Sequence, residues 1–242
     1  MWSQRAQTIV SRESRNTVHQ LNRKCSNSLG DSNLFAYPGS AAFLAGATSD
    51  SSIPSLHGLP EIYGSKGRAN CGKSSLFNAV LGRNDLLHTS KRAGHTRQLN
   101  FYRVGREPGK LVLVDAPGYG ARGRPEWGEL FNYYISTRKQ LRCIYILFNA
   151  KNGLNEFDKM MLQKLSQLSS ASDGPRLFAL QSIITKADCL PSGREQDVVD
   201  LIRYDIQEAA PTCLPPIITS ALMKPAFGIQ DVRASIQRHC GY

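Results

Sequence analysis

The chain has 242 residues, of which 41% are hydrophobic and 20% are charged, and its formal net charge is +11. This composition is typical of one folded globular domain and excludes an intrinsically disordered chain. No apolar stretch approaches the roughly 18 residues needed to cross a bilayer, so we expect no membrane insertion. The positive charge favours a polyanionic partner such as RNA, but an ordinary solvated basic surface explains it equally well.

Cysteine usage points to a reducing compartment. The chain has no Cys-x-x-Cys pair and no histidine at metal-binding spacing from a cysteine. We interpret the cysteines as free thiols, with disulfides of a secreted protein as the alternative. They are Cys25, Cys71, Cys143, Cys189, Cys213 and Cys240.

The first thirty residues are rich in arginine and serine and contain one acid, Glu13. This profile is typical of an import presequence and predicts the mitochondrial matrix, with a solvated tail on a cytoplasmic protein as the alternative. Residues 31–59 are rich in Gly, Ser, Ala and Pro without a sustained period, so we interpret them as a linker. We therefore predict a disordered tail and linker over 1–59 and one domain over 60–242.

From Pro60 onward, short apolar runs alternate with amphipathic stretches, which is the pattern of a sheet covered by helices. The predicted helices are Lys73–Leu81, Trp127–Leu141, Glu156–Leu168, Gln196–Ala209 and Ile229–Arg238. The predicted strands are Leu99–Val104, Leu111–Asp115, Cys143–Phe148, Phe178–Thr185 and Ile217–Thr219. Residues 105–110 contain Gly, Pro and Gly between two strands, which indicates a hairpin. The sheet is therefore expected to be mostly parallel with one antiparallel edge pair.

The strongest motif runs from Gly67 to Ser74, Gly-Arg-Ala-Asn-Cys-Gly-Lys-Ser. It fits the phosphate-binding pattern G-x-x-x-x-G-K-[ST] at every fixed position. Gly67 and Gly72 let the backbone wrap so that N–H groups point at phosphate oxygens before a helix. Lys73 is placed to reach the β- and γ-phosphates, and the Ser74 hydroxyl to bind Mg²⁺.

A second motif follows the strand that ends at Asp115 and continues as Ala116, Pro117 and Gly118. A carboxylate at the carboxyl end of a strand can hold Mg²⁺ through water. The Gly118 N–H can meet a γ-phosphate and be released when that phosphate leaves, which makes a switch. Without the upstream loop, the same residues would indicate only a strand followed by a turn.

Two further loops predict the base. Thr185-Lys186-Ala187-Asp188 follows a predicted strand, and the Asp188 carboxylate can accept hydrogen bonds from the guanine N1–H and 2-amino group, while the Lys186 stem covers the base. Thr219-Ser220-Ala221 follows the last strand and can offer a backbone N–H to the guanine O6. The cofactors predicted are therefore GTP or GDP with Mg²⁺. A P-loop kinase or ATPase would need the phosphate loop but neither of these loops.

Together with Gly-His-Thr-Arg-Gln-Leu-Asn-Phe-Tyr at 94–102 and Val-Asp-Ala-Pro-Gly-Tyr-Gly at 114–120, these motifs resemble the EngB (YihA) GTPases. The resemblance covers about residues 60–240 and is closest to the eukaryotic organellar members of this TrmE-Era-EngA-EngB-like group. It implies an α/β P-loop NTPase G domain, with a mostly parallel, mixed six-stranded sheet and helices on both faces. It also implies a monomeric, Mg²⁺-dependent GTPase that binds ribosomal RNA or a ribosomal subunit and assembles the large subunit, here the mitochondrial one.

The resemblance also implies a set of site residues. Thr96 would close over Mg²⁺ and the γ-phosphate, although an ordinary loop threonine is the alternative. The implied catalytic residues are Asn70, Lys73 and Thr96, and the implied metal ligands are Ser74, Thr96 and Asp115. The implied nucleotide contacts are Gly67, Arg68, Ala69, Asn70, Cys71, Gly72, Lys73, Ser74, Ser75, Gly94, His95, Thr96, Arg97, Gln98, Asp115, Ala116, Pro117, Gly118, Thr185, Lys186, Ala187, Asp188, Thr219, Ser220 and Ala221.

Hydrolysis is expected to be slow, because Tyr119 follows Gly118 where many GTPases carry a water-positioning glutamine. In related GTPases without that glutamine, an asparagine at the position of Asn70 helps to hold K⁺ between the phosphates, and carbonyls of residues 92–95 would complete the shell. A turn-supporting Asn70 is the alternative. A nucleotide-gated RNA-binding factor with little or no hydrolysis is the alternative function.

Two positions depart from the family. The strand before the phosphate loop, Glu61–Lys66, replaces an unbroken apolar run that is one residue shorter in the family. It indicates either a weakened strand or an error in the sequence at this junction. Asn149 stands where the family tends to place aspartate.

Basic residues near the switch segments and the following helix are candidates for a phosphate-facing patch, with a solvated helix face as the alternative. They are Arg92, Arg97, Arg103, Arg106, Arg122, Arg124, Arg138 and Lys139.

Overall fold

A seven-stranded sheet with α-helices on both faces forms the structure, which is a computed structural model describing residues 34–66, 70–87, 98–116, 125–170 and 178–242. Its strands are β1 (Ala42–Ala47), β2 (Glu61–Lys66), β3 (Leu99–Val104), β4 (Leu111–Asp115), β5 (Leu141–Asn149), β6 (Ala179–Thr185) and β7 (Leu214–Ile218). The α-helices of the described residues are α1 (Lys73–Leu81), α2 (Pro125–Thr137), α3 (Glu156–Ser169), α4 (Glu195–Ala209) and α5 (Ile229–Cys240).

The strands lie in the order β1-β3-β4-β2-β5-β6-β7, in which β3 is antiparallel to both of its neighbours, β1 and β4, and every other pair is parallel. The predicted α/β fold with a mostly parallel mixed sheet is confirmed. Buried side chains of α2, α3 and α4 pack on one face, and those of α1 and α5 pack on the other. All five parallel strands therefore end at one edge of the sheet.

The linker predicted over 31–59 is wrong for its described part, because β1 lies there and adds the seventh strand. The strand escaped prediction because it is made mainly of small residues and because a bulge near Leu44 interrupts the period of two. Leu34 and Phe35 are also buried. The compact unit that contains the sheet consequently starts at Leu34, not at Pro60.

The predicted strand β2 is not weakened. It lies between β4 and β5 and pairs with both along most of its length. Gly64 is required there, because a Cβ atom at this position would lie 2.4 Å from the Phe77 ring of α1. The absent side chain lets α1 approach the strand that leads into the phosphate loop.

A buried polar cluster anchors the beginning of β2. The Glu61 carboxylate is fully buried and accepts hydrogen bonds from the Tyr134 hydroxyl and from the Arg138 guanidinium, whose Nε lies 3.1 Å from each oxygen. Burial, reinforced by Glu61, raises the pKa of Tyr134 well above its ordinary value, so its hydroxyl remains a donor. This pairing joins the end of α2 to the sheet.

The end of α2 and the start of β7 differ most from the predictions. Helix α2 ends at Thr137, because Leu141, predicted as helical, is buried at the first position of β5. Strand β7 begins earlier than predicted and contains Pro215 and Pro216. Prolines are tolerated there because β7 is an edge strand and its outer side needs no N–H donors.

Candidate nucleotide-binding site

The phosphate loop leads from β2 into α1. Gly72 adopts a left-handed conformation with φ of 89° and caps α1, and the Leu76 N–H donates to its carbonyl at 2.9 Å. Asn70 is also left-handed, with φ of 62°. Gly67, Arg68 and Ala69 lie outside the described residues. The described half of the loop therefore has the turn that a phosphate cradle at a helix start requires.

Lys73 and Asp115 meet at the centre of this edge. Both side chains are more than nine-tenths buried, and the Lys73 ammonium forms an ion pair with the Asp115 carboxylate. These two buried charges suit a nucleotide with its metal ion. The ammonium could exchange the carboxylate for a phosphate, and the carboxylate could exchange the ammonium for a hydrated cation. Ser74 and Ser75, in the first turn of α1, are half-buried beside Lys73.

No group of three His, Cys, Asp or Glu side chains that could hold a metal ion occurs among the described residues. The Asp115 carboxylate and the Ser74 hydroxyl fit Mg²⁺, which keeps several waters and takes few carboxylates besides nucleotide phosphates. Ala116 follows Asp115 and donates its N–H to the Gly64 carbonyl at 3.1 Å, which fixes the end of β4 against β2. Pro117 and Gly118 lie outside the described residues.

Thr185 ties the base-recognition loop to the phosphate loop. Its buried hydroxyl donates to the Cys71 carbonyl and lies 3.0 Å from the Phe148 carbonyl. Sequence reasoning placed Thr185 among the nucleotide contacts, whereas the structure shows its hydroxyl occupied by backbone. The role of positioning the phosphate loop was missed because it depends on a tertiary contact across 114 positions of the chain.

Lys186 follows with a left-handed backbone, φ of 57°. Its stem lies beside the phosphate loop, since a Cβ atom at Gly72 would be 3.6 Å from the Lys186 Cε. Ala187 donates its N–H to the Thr219 carbonyl at 3.0 Å, which joins this loop to the one after β7. The predicted base-covering lysine therefore lies at the junction of the phosphate and base loops.

Asp188 is held by Ser220, whose hydroxyl donates to the Asp188 Oδ1. The Met223 N–H donates to the same hydroxyl oxygen at 3.3 Å. Sequence reasoning placed Ser220 at the nucleotide through the loop Thr219–Ala221, but it missed that the serine side chain orients the aspartate. The local pattern carries no signal for that contact, because the two residues come together only through the pairing of β6 with β7.

The loop after β7 depends on a glycine. Gly228, with φ of 72°, begins α5, and a Cβ atom there would lie 2.1 Å from the Ile218 carbonyl oxygen. Ser220 and Phe227 exchange backbone hydrogen bonds of 3.0 and 2.9 Å just before it. This close approach closes the loop that carries Ala221.

Cys189 lies next to Asp188, and its Sγ is 3.5 Å from the Asp188 Oδ2. Desolvation and the Asp188 carboxylate raise the pKa of the Cys189 thiol, so it stays protonated at neutral pH. None of the described cysteines forms a disulfide.

Asn149 has a structural role at the end of β5. Its Oδ1 accepts the Lys151 N–H at 2.9 Å, and its carbonyl accepts the Asn152 N–H at 3.0 Å. An aspartate carboxylate would make the same turn. The departure from the family is therefore a substitution of one turn-forming acceptor for another.

Within the first switch segment, Gly94, His95, Thr96 and Arg97 lie outside the described residues. Gln98 is described, and its side chain packs against Gly46 of β1 and donates to the Asn100 Oδ1 at 2.9 Å. Its amide is therefore engaged at the β1–β3 edge of the sheet.

The structure describes four of the eight basic residues that were predicted to form a patch near the switch segments. Arg103 pairs with Glu107 and Arg138 with Glu61, while Arg106 and Lys139 lie at the opposite edge, where the parallel strands begin. Arg92, Arg97, Arg122 and Arg124 lie outside the described residues. The predicted patch is therefore wrong for the four described residues, which lie towards the strand starts and away from the phosphate loop, and it stays a prediction for the other four.

Among the described residues, no helix combines the length and apolar character needed to traverse a bilayer.

Comparisons with known proteins agree with this geometry. Residues 64–181 match the family described as 50S ribosome-binding GTPase. The probable GTP-binding protein EngB of Hyphomonas neptunium is 33% identical over 213 residues, covering 84% of this chain and 88% of that protein. The protein of the same name from Roseobacter denitrificans is 32% identical over 208 residues, with the same two coverages.

Solved structures show the same fold at low identity. Toc33 from Arabidopsis thaliana has a TM-score of 0.58 at 13% identity, over 75% of this chain and 84% of that one. Era in complex with MgGDPNP and a 16S ribosomal RNA fragment has a TM-score of 0.54 at 20% identity, over 75% of this chain. That match spans 57% of the Era chain, a little over half of its length.

Proposed function

The chain belongs to the EngB family of GTP-binding proteins, and we propose that it is a Mg²⁺-dependent GTP switch that assembles the large ribosomal subunit in mitochondria. It is a GTPase, as its family is. The ribosomal role is supported by the family description and by the net charge of +11.

The observation that carries the choice of nucleotide is the fixed position of Asp188. Ser220 holds one carboxylate oxygen, and Thr185, three residues earlier, holds the phosphate loop through the Cys71 carbonyl. The proposed base-binding carboxylate and the phosphate loop are therefore linked through hydrogen bonds between loops at the same edge of the sheet. A guanine nucleotide fits such a site, because its N1–H and 2-amino group both donate to one carboxylate.

The experiment exchanges Asp188 for Asn. The amide can donate where xanthine accepts, so Asp188→Asn should lose GTP and gain xanthosine triphosphate, measured by titration with fluorescent nucleotides. Unchanged GTP affinity would contradict the assignment. Ser220→Ala serves as the matched variant, because it frees the Asp188 carboxylate without removing it and should weaken GTP binding without creating xanthosine preference.

Phosphate and metal would be held by residues already close together. Lys73 would donate to the β- and γ-phosphates, Ser74 would bind Mg²⁺ directly, and Asp115 would hold it through water. Thr96 is proposed as the further ligand from the first switch. The metal would neutralise charge on the phosphates, and the same titration in EDTA should weaken GTP binding in the wild type far more than in Ser74→Ala.

We expect slow hydrolysis because Tyr119 replaces the water-positioning glutamine. The same feature favours the second candidate, a nucleotide-gated RNA-binding factor with little or no turnover. Both candidates bind GTP through the same residues. Multiple-turnover hydrolysis with and without ribosomal particles separates them.

Mitochondrial location is proposed from the arginine-rich, acid-poor composition of the first thirty residues. Such a location fits the resemblance to organellar members of the family. The alternative is a cytoplasmic protein with a solvated basic tail.

A further inference from the structure

Exposed cations line the edge of the sheet where the parallel strands begin. They are Arg106 and Lys110 on the β3–β4 hairpin, Lys139 and Arg142 around the start of β5, and Arg238 in the last turn of α5. We call these five residues the strand-start surface. None of them forms an ion pair with any residue that the structure describes.

Contacts connect several of these side chains with aromatic rings. The Arg106 guanidinium lies 3.9 Å from the centroid of the Tyr37 ring. The Lys110 ammonium lies 6.0 Å from the Tyr242 ring, and the Tyr242 hydroxyl donates to the Lys110 carbonyl at 2.9 Å. These contacts place Tyr37 and the C-terminal Tyr242 beside the β3–β4 hairpin.

Two acids at this edge of the sheet are already neutralised. Glu61 is bound by Arg138, and Glu107 is bound by Arg103 at 2.5 Å. Because Arg138 and Arg103 already offset the charge of these two acids, the five cations of the strand-start surface keep a net positive potential.

Charge is also segregated across the domain. Helix α4 carries one arginine, Arg203, against five acids, namely Glu195, Asp197, Asp200, Asp205 and Glu208. A basic protein with evenly solvated faces would not be expected to place five acids on one helix and five unneutralised cations together at one edge. The separation favours a directional polyanionic contact over general solubility.

We propose that the strand-start surface binds the phosphate backbone of RNA. This inference rests on the proposed ribosomal function and names the face that meets the RNA. Three of the five cations are arginines, whose planar guanidinium groups bind phosphate oxygens in pairs. From β4 to β5 the surface spans two strand spacings, about 10 Å, which is enough for several backbone phosphates.

The surface is separate from the nucleotide site. It lies at the start of β2 and the phosphate loop lies at its end, so the strand length places them about 17 Å apart. RNA bound there would leave the nucleotide accessible, and binding of the two ligands can be measured independently.

The test removes three cations whose side chains make no hydrogen bond or ion pair with described residues. The variant is Lys139→Gln, Arg142→Gln and Arg238→Gln together. The matched control is Lys164→Gln, Arg194→Gln and Arg203→Gln, which removes the same charge from α3, α4 and the loop before α4. A fluorescein-labelled RNA hairpin is titrated by anisotropy at several salt concentrations.

We expect the strand-start variant to bind the hairpin at least about 10-fold more weakly and to reduce the slope of log affinity against log salt by about 3, since each lost phosphate contact removes about 1. The control variant should stay within about 2-fold of the wild type at moderate salt, where exposed charges beyond a Debye length are screened. An equal loss in both variants would overturn the proposal, because it would show an effect of net charge alone.

Two further measurements distinguish RNA from other polyanions and check that both variants fold. The affinity for polyglutamate and for phosphatidylserine vesicles is measured in the same way. If the strand-start variant loses affinity for one of these ligands but keeps its affinity for the hairpin, RNA is not the partner of this surface. Fluorescent GDP should bind both variants like the wild type, which shows that both fold. A wild type that binds GDP but not RNA overturns this inference alone, whereas a wild type that binds RNA but no guanine nucleotide overturns the proposed GTP site alone.

Discussion

Asn70 has a left-handed backbone and a side-chain oxygen, and substitution by alanine would affect both at once. Its backbone is left-handed, with φ of 62°, a conformation that asparagine tolerates better than most residues. Its side chain also has a carbonyl oxygen, which is a suitable ligand for K⁺. Alanine would remove the oxygen and strain the turn, whereas glycine would remove the oxygen and keep the turn.

If the Asn70 oxygen helps to hold K⁺ between the phosphates, GTP hydrolysis should be faster in K⁺ than in Na⁺ at equal ionic strength. Asn70→Gly should abolish this difference and still bind GTP, because the ion would otherwise offset charge in the transition state. The measurement is multiple-turnover phosphate release with and without ribosomal particles.

Asn70→Asp is the control, since it keeps a carboxyl oxygen at the same place and should retain part of the K⁺ dependence. If Asn70→Gly keeps the full K⁺ effect, Asn70 does not hold the ion and its role is limited to supporting the turn. Absence of turnover in both salts, even with ribosomal particles, would favour the non-hydrolysing alternative.

Spacing along the chain predicted the residues with obvious chemistry, but not the residues that hold them. Lys73, Asp115 and Asp188 belong to patterns whose fixed positions are visible in the sequence. The Thr185 contact with Cys71 and the Ser220 contact with Asp188 join residues from different strands. Such contacts depend on strand order, which a sequence pattern does not contain.

At the scale of elements, strand β2 and helix α1 fit together through Gly64. A methyl group there would lie 2.4 Å from the Phe77 ring, which is itself fully buried. Gly64→Ala should therefore lower the free energy of unfolding by about 1–3 kcal/mol, as overpacking in a filled core does. Urea unfolding followed by circular dichroism measures it.

Gly128→Ala is the matched control, because a Cβ atom there meets nothing within 4 Å and lies in helix α2. It should be neutral or raise the free energy of unfolding by up to about 1 kcal/mol. Adding Phe77→Leu to Gly64→Ala should recover part of the loss. Equal stability of the two glycine variants would refute the packing argument.

Element prediction succeeded where the hydrophobic period was strong and failed where small residues or a bulge masked it. The bounds of α1, β3 and β4 agree with the predictions, since each has a clear apolar pattern between turn residues. Strand β1 was missed because Ala and Gly carry little signal and its pairing partner, β3, lies more than fifty residues later. The extra strand pairs with the backbone N–H and C=O groups of β3, which would otherwise lie at an open edge of the sheet. A local sequence pattern does not show such pairing.

At the scale of the whole molecule, the sheet has two ends with different chemistry. The carboxyl ends of the parallel strands carry the phosphate loop, Asp115 and the loops proposed to bind the base, and the strand starts carry the five cations of the strand-start surface. If the chain is a GTP switch that binds RNA at the strand-start surface, the strands and helices between the two ends would connect the nucleotide site with the RNA site rigidly. Arg138 and Glu61 tie the end of α2, the helix that follows the Asp115 motif, to the strand-start edge.

The last prediction concerns the segment before the folded unit. Because Leu34 and Phe35 are buried in the domain core, residues 1–33 are the part that can act as an address without removing core residues. Fused to a fluorescent protein, residues 1–33 should direct it into mitochondria, where import reads arginine-rich, acid-poor segments. The control fusion replaces the five cations Arg5, Arg12, Arg15, Arg23 and Lys24 by glutamine and should stay diffuse. Diffuse fluorescence from both fusions would place the protein in the cytoplasm, with a solvated tail.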